Sequence, residues 1–204
     1  KNNGWNYHLL TEDIEFTVDN ITDGEIIGYC SSAVLYDEQP VTMKQSWNQR
    51  LRWSKGFYQV LTHYGWRLIK GIFSCKARMV PCFDMLMTIA PAYLITIVTV
   101  TVNLIFLIMG MSSEVPEIKV INVTAGSLTA TLVNFYLVFL AMGLLTLITE
   151  WRNIKCKSWK KIMYLFSFPM FLFTYIPISI IALFKDVRWT PVEHTDYKSI
   201  EDVR

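Results

Sequence analysis

Two short stretches carry side chains able to do chemistry: Thr11-Glu12-Asp13, and Gln49-Arg50-Leu51-Arg52-Trp53 about 35 residues later. A carboxylate can take a proton, a guanidinium can grip an anion through paired hydrogen bonds, and an indole offers a flat apolar face. Taken singly, each has a plain alternative. Asp13 could be a solvated acid at a helix start, and Trp53 an anchor at a membrane surface. The tripeptide alone recurs by chance, and Gln-x-x-Arg-Trp is rarer because tryptophan is rare. What makes the pair informative is its order, its spacing and its place directly upstream of long apolar runs.

The elements that must hold these residues follow from periodicity. Trp5 to Asp19 reads as helical, with Leu9, Leu10, Ile14 and Val18 at three- and four-residue steps. Thr11 is a candidate N-cap, with Glu12, Asp13 and Glu15 in the first turn, and Gly24 ends the pattern. Glu25–Cys30 and Ala33–Tyr36 read as short strands, and Glu38-Gln39-Pro40 as a turn. From Thr42 to about Leu61 the pattern is again helical, with Trp47, Leu51, Tyr58 and Leu61 on one side and Gly56, Gly65 and Gly71 as interruptions. An aromatic, basic, amphipathic segment just before a membrane run suits an interfacial helix; a core-packing helix is the alternative.

Composition divides the chain. Of its 204 residues 52% are hydrophobic and 18% charged, too apolar for a disordered or highly solvated protein. Residues 1–78 hold eight acids and nine bases, whereas 85–149 hold only Glu114, Glu117 and Lys119. Apolar runs at about 85–109 and 128–148 are long enough to cross a bilayer, and a third at about 162–184 contains Pro169 and Pro177, which suit a kinked, tilted or re-entrant path. Lys76 and Arg78 before the first run, and Arg152, Lys155, Lys157, Lys160 and Lys161 after the second, put both flanks in the cytoplasm by the positive-inside rule. A net charge of +2 gives no footprint for nucleic acid. Cys30, Cys75, Cys82 and Cys156 lack metal-site spacing and read as thiols of a reducing compartment.

With TEDIEFT (Thr11 to Thr17), the Glu38-Gln39-Pro40 turn, QRLRW with the following SKG (Gln49 to Gly56) and the trailing apolar runs, the chain resembles the membrane-integrated family-2 glycosyltransferases of the polymerising type, the poly-N-acetylglucosamine, hyaluronan, chitin and cellulose synthases. The resemblance implies an α/β partial glycosyltransferase domain of the GT-A kind, then an interfacial amphipathic helix and an α-helical membrane region. It implies Asp13 as the catalytic base that takes the acceptor hydroxyl's proton, and Arg52 as the group that stabilises the departing nucleotide diphosphate. Trp53 would present its face to the acceptor sugar, Gln49 would hydrogen-bond nearby, and Glu12 would stand beside the base. Trp189, with His194 in the same stretch, resembles a gating segment found after the spans of relatives; an ordinary interfacial tryptophan is the alternative.

The expected organisation is 1–40 for the acceptor-side part of the catalytic domain, 41–78 for the amphipathic helices with QRLRW, 79–184 for the membrane region and 185–204 for a polar tail. No Asp-x-Asp motif occurs, so a divalent cation, Mg or Mn, is expected on an upstream donor half, no metal site is expected here, and the chain alone is expected to be inactive. The expected partners are a nucleotide-sugar donor (UDP-N-acetylhexosamine or UDP-hexose), a polysaccharide or glycolipid acceptor and the lipid bilayer, without nucleic acid; an auxiliary subunit stays open. The expected activity is inverting sugar transfer at the cytoplasmic face of the plasma membrane, with the spans helping to form a channel. Two alternatives remain: a non-processive membrane glycosyltransferase acting on a lipid or lipid-linked acceptor, and a non-enzymatic transport or structural membrane protein.

Overall fold

A computed structural model of the chain describes residues 4–30, 32–35, 37–74 and 76–190. Among them all regular structure is helical: α1 Glu12–Asp23, α2 Met43–Ser74, α3 Lys76–Ile89, α4 Pro91–Met111, α5 Glu117–Thr149, α6 Ser158–Phe173 and α7 Tyr175–Phe184. The chain divides into two compact units. One takes in the chain to Pro91 together with the stretch from Pro177 onward, and the other is Ala92–Ile176. The divisions thus fall at Pro91 and Pro177.

In the first unit α1 starts later than periodicity predicts. Residues 5–10 are not helical because their amides are used elsewhere: those of His8 and Leu9 donate to Glu15 Oε2, each at 3.0 Å, and that of Leu10 to Gln59 Oε1 at 3.2 Å. Thr11 is the N-cap residue, but its side chain makes no cap hydrogen bond. Gly24 ends the helix as expected, in the left-handed region at φ 93°, a conformation that glycine reaches without a β-carbon penalty. Arg78 of α3 adds a cation there, its guanidinium donating to the carbonyls of Thr22 and Asp23 at 3.3 Å.

No strand occurs among the described residues, so the α/β expectation finds no support in this part of the chain, whose regular structure there is helical. The stretch around Ile26, Tyr29, Val34 and Leu35 is irregular and exposed. A strand needs a neighbour to take its amides and carbonyls, and none of the described residues offers one.

Helix α2 begins on a capping box: Gln45 N donates to Thr42 Oγ1 at 3.2 Å, and Thr42 N donates to Gln45 Oε1 at 3.1 Å. It then runs unbroken for 32 residues through Gly56, Gly65 and Gly71. Those glycines are not interruptions. All three are buried, Gly56 against Thr11 and Gly71 against Cys82. The contacts Thr11–Gly56, Glu15–Tyr64 and Asp19–Arg67 ascend together, so α1 and α2 run in the same direction. Val18, Ile21, Val60, Leu68, Cys82 and Ile89 form the core beneath α1, α2 and α3. A second cluster joins Leu51 of α2 to Ile178 and Ala182 of α7, and Tyr58 donates to the Ser179 carbonyl at 3.0 Å. The opposite side of α2 and α3 leaves Trp66, Phe73, Val80 and Phe83 exposed.

The predicted run at 85–109 is not one helix. It breaks at Ala90, where the following proline disfavours helical backbone, and α4 begins at Pro91. Helix α5 and the α6–α7 stretch Ser158–Phe184 are each long and apolar enough to cross a membrane, and α4 is apolar over Val98–Met111. Pro169 lies within α6, but the break falls at Thr174, with Pro177 in the first turn of α7. Within the second unit, Gly143 of α5 lies against Leu165 and Phe168 of α6, and Tyr136 donates to the Phe166 carbonyl at 3.2 Å.

Candidate functional site

The first turn of α1 and the fourth and fifth residues of QRLRW meet. Leu10, Thr11, Glu12, Asp13 and Ile14 line a cleft of about 410 Å³ together with Arg52, Trp53 and Phe57 of α2 and with Trp189. Two causes bring the motifs together. The parallel packing of α1 on α2 sets the start of α1 beside the first third of α2, and the Leu51–Ile178 cluster carries the chain after α7 past Arg52. Glu12 and Asp13 are exposed, and among the described residues the Asp13 carboxylate has no hydrogen bond or ion pair. It stands at a helix N-terminus, where the dipole favours negative charge.

Arg52 is the centre of the arrangement. Its guanidinium lies 5.8 Å from the centre of the Trp189 ring, a cation–π distance, and its buried Nε has no hydrogen-bond partner among the described residues. The same residue lines a second, larger cleft of about 680 Å³ with Thr42, Lys44, Asn48, Gln49, Lys185, Asp186 and Arg188. Cations therefore predominate on this side: Lys44, Arg52, Lys185 and Arg188 against Asp186. Gln49 belongs to this second cleft and not to the one that holds Asp13.

Sequence reasoning missed the residues that hold the site. Glu15 is 8% exposed, and its carboxylate gathers the His8 and Leu9 amides and, at 3.2 Å, the Tyr64 hydroxyl. Burial, the Glu15 charge and the Asp19 charge push the Tyr64 hydroxyl up to about 12. Arg67 bridges Asp19 and Asp23 at 2.7 Å each. The Thr-x-x-Gln signature of the α2 capping box was readable at Thr42 and Gln45; the role of Glu15 had no sequence signal, because two of its partners are backbone amides and the third, Tyr64, is 49 residues away. His194 lies outside the described residues, and so does Cys75. Cys30 and Cys156 carry free thiols. Among the described residues no group of three or more His, Cys, Asp or Glu side chains could hold a metal ion.

The profile of the family described as Glycosyl transferase family group 2 matches residues 1–185. A probable glycosyltransferase, YdaM, of Bacillus subtilis (strain 168) is 33% identical over 61 residues, which are 30% of this chain and 14% of that relative. No solved structure matches the chain.

Proposed function

The chain belongs to glycosyl transferase family group 2, and from that premise we propose that it is the acceptor-side part of an inverting glycosyltransferase that extends a polysaccharide at the cytoplasmic face of the membrane. The observation that carries this reading is the shared cleft of Asp13, Arg52, Trp53 and Trp189, contributed by three separate stretches of chain. In the step proposed, Asp13 accepts the proton of the acceptor hydroxyl as its oxygen bonds to the anomeric carbon of the donor. The bond from that carbon to the phosphate oxygen breaks, and the nucleoside diphosphate leaves with the electron pair. Arg52 neutralises the leaving diphosphate, and its unpartnered Nε is suited to that.

Trp53 presents its face to the acceptor sugar, and Trp189, held over Arg52 by the cation–π contact, acts as the gating residue. Glu12 flanks the base. Gln49, facing the cation-rich second cleft, serves the donor side. The donor proposed is a UDP-hexose or UDP-N-acetylhexosamine. Mg or Mn would accompany its diphosphate on an Asp-x-Asp motif that this chain does not contain, and a sheet of the GT-A kind would belong with that part, where the exposed stretches at 25–30 and 32–35 would find strand neighbours. The exposed Trp66, Phe73, Val80 and Phe83 suit an α2–α3 hairpin lying on the bilayer surface. α5 and the α6–α7 stretch, by length and composition, suit spans that help form the channel.

The test is nucleotide release and product length in membranes that hold the full-length enzyme. Asp13→Asn is expected to lower kcat by about 10²- to 10⁴-fold, and Trp53→Ala to raise the acceptor KM. Full activity in Asp13→Asn would remove the base from the mechanism. High polymer supports the processive reading, and a single added sugar on a lipid acceptor supports the non-processive one.

A further inference from the structure

The distance between the two motifs is set at one point. A β-carbon on Gly56 would lie 2.5 Å from Thr11 Cγ2, 2.6 Å from Thr11 Oγ1 and 3.0 Å from Thr11 Cβ. Threonine carries two heavy branches on Cβ, so rotation of the Thr11 side chain always leaves one of them in the space, with Cβ itself at the limit of close contact. The backbone at Thr11 would have to move. Asp13 would move with it, since Thr11 opens the helix, its carbonyl accepting from the Glu15 amide at 3.0 Å. Nor can the preceding segment absorb the shift freely, because Leu10 is tied to Gln59 and His8 and Leu9 to Glu15. On the other side, Gly56 lies one turn beyond Arg52 and three residues beyond Trp53 on the same unbroken helix.

Thr11 itself points to packing rather than hydrogen bonding. It is 5% exposed, and its hydroxyl makes no cap bond and has no partner among the described residues. A buried hydroxyl without a partner is unfavourable, so what this side chain supplies is its contact with Gly56.

We propose that Gly56 is a positioning residue: its missing side chain fixes the separation of Asp13 from the Arg52–Trp53 pair. The role rests on the glycosyl-transfer reading above. Misplacing a reacting group by about 1 Å can lower a rate by about 10²-fold. By helix propensity alone Gly56→Ala would favour α2, so a lost rate would not reflect a weaker helix.

The experiment measures nucleotide release by the full-length enzyme in membranes, with kcat and donor KM separated, and thermal unfolding of the same proteins in detergent. Gly56→Ala is expected to lower kcat about 10²-fold with donor KM changed less than about twofold. Adding Thr11→Ala removes the two nearest atoms, and the double variant is expected to recover at least about tenfold over the single one. An undiminished kcat in Gly56→Ala, while Asp13→Asn is inactive, overturns the positioning role and leaves the glycosyl-transfer reading standing. A double variant no faster than Gly56→Ala also overturns it. Should Gly56→Ala fail to fold, the double variant is expected to fold and turn over, and its failure to do so is likewise contrary. A wild type that releases nucleotide from no sugar donor overturns both.

Discussion

At the scale of single residues, the groups proposed for chemistry and the groups that hold them differ in how they are satisfied. Asp13 is exposed and unpaired among the described residues, whereas Glu15, two positions on, is buried and takes three donors. Tyr64 belongs to the holding set, and its raised pKa has a measurable consequence. A hydroxyl that titrates near 10 in the unfolded chain and at about 12 in the fold contributes its full stability below pH 10. Above that the unfolded chain ionises first, and the contribution is lost as pH rises toward 12. The thermal midpoint of the wild type is therefore expected to exceed that of Tyr64→Phe below pH 10, with the difference shrinking between pH 10 and 12. A pH-independent difference would contradict the assignment. Asp13, Arg52 and Trp53 were legible in the sequence because their motifs are short and contiguous. Glu15 was not, because the amides it binds have no sequence identity.

At the scale of elements, the starts and stops of helices decide what α1 and α2 present to the cleft. Gly24 stops α1 for a local reason, its freedom to take positive φ, and so it was readable. The start of α1 was readable from Thr11 and the acids that follow it, but not from periodicity, which ran back to Trp5 across amides at 8–10 that are drawn to Glu15 and Gln59. α2 starts on the reciprocal Thr42–Gln45 bonds. Thr42→Ala is expected to cost about 1 kcal/mol, and Thr42→Ser much less, read as the shift of the unfolding midpoint in detergent. Equal losses from the two would show that the hydroxyl is not what caps the helix. The strands expected at 25–36 illustrate the opposite limit. Alternation can mark a strand, but only a neighbouring strand completes its hydrogen bonds.

At the scale of the molecule, the first unit is closed by a stretch that returns late in the chain, so Trp189 reaches Arg52 across more than a hundred residues of sequence. Ile178, fully buried against Leu51, is the anchor of that return. Ile178→Ala is expected to cost about 2–5 kcal/mol and to loosen the segment from Lys185 to Trp189. Trypsin cleavage after Lys185 and Arg188 is expected to quicken, while cleavage elsewhere is expected to change less. Unchanged cleavage there would show that the anchor lies elsewhere. By itself the sequence determined the family, through contiguous motifs, and the apolar runs, through composition, since both are properties of neighbours along the chain. The tertiary structure alone decided which cleft receives Gln49, that Trp189 stands over Arg52, and that Gly56 is a close contact instead of a break. These depend on which groups meet across space, where a hydrogen bond or a missing β-carbon acts over a few ångströms whatever the distance in sequence.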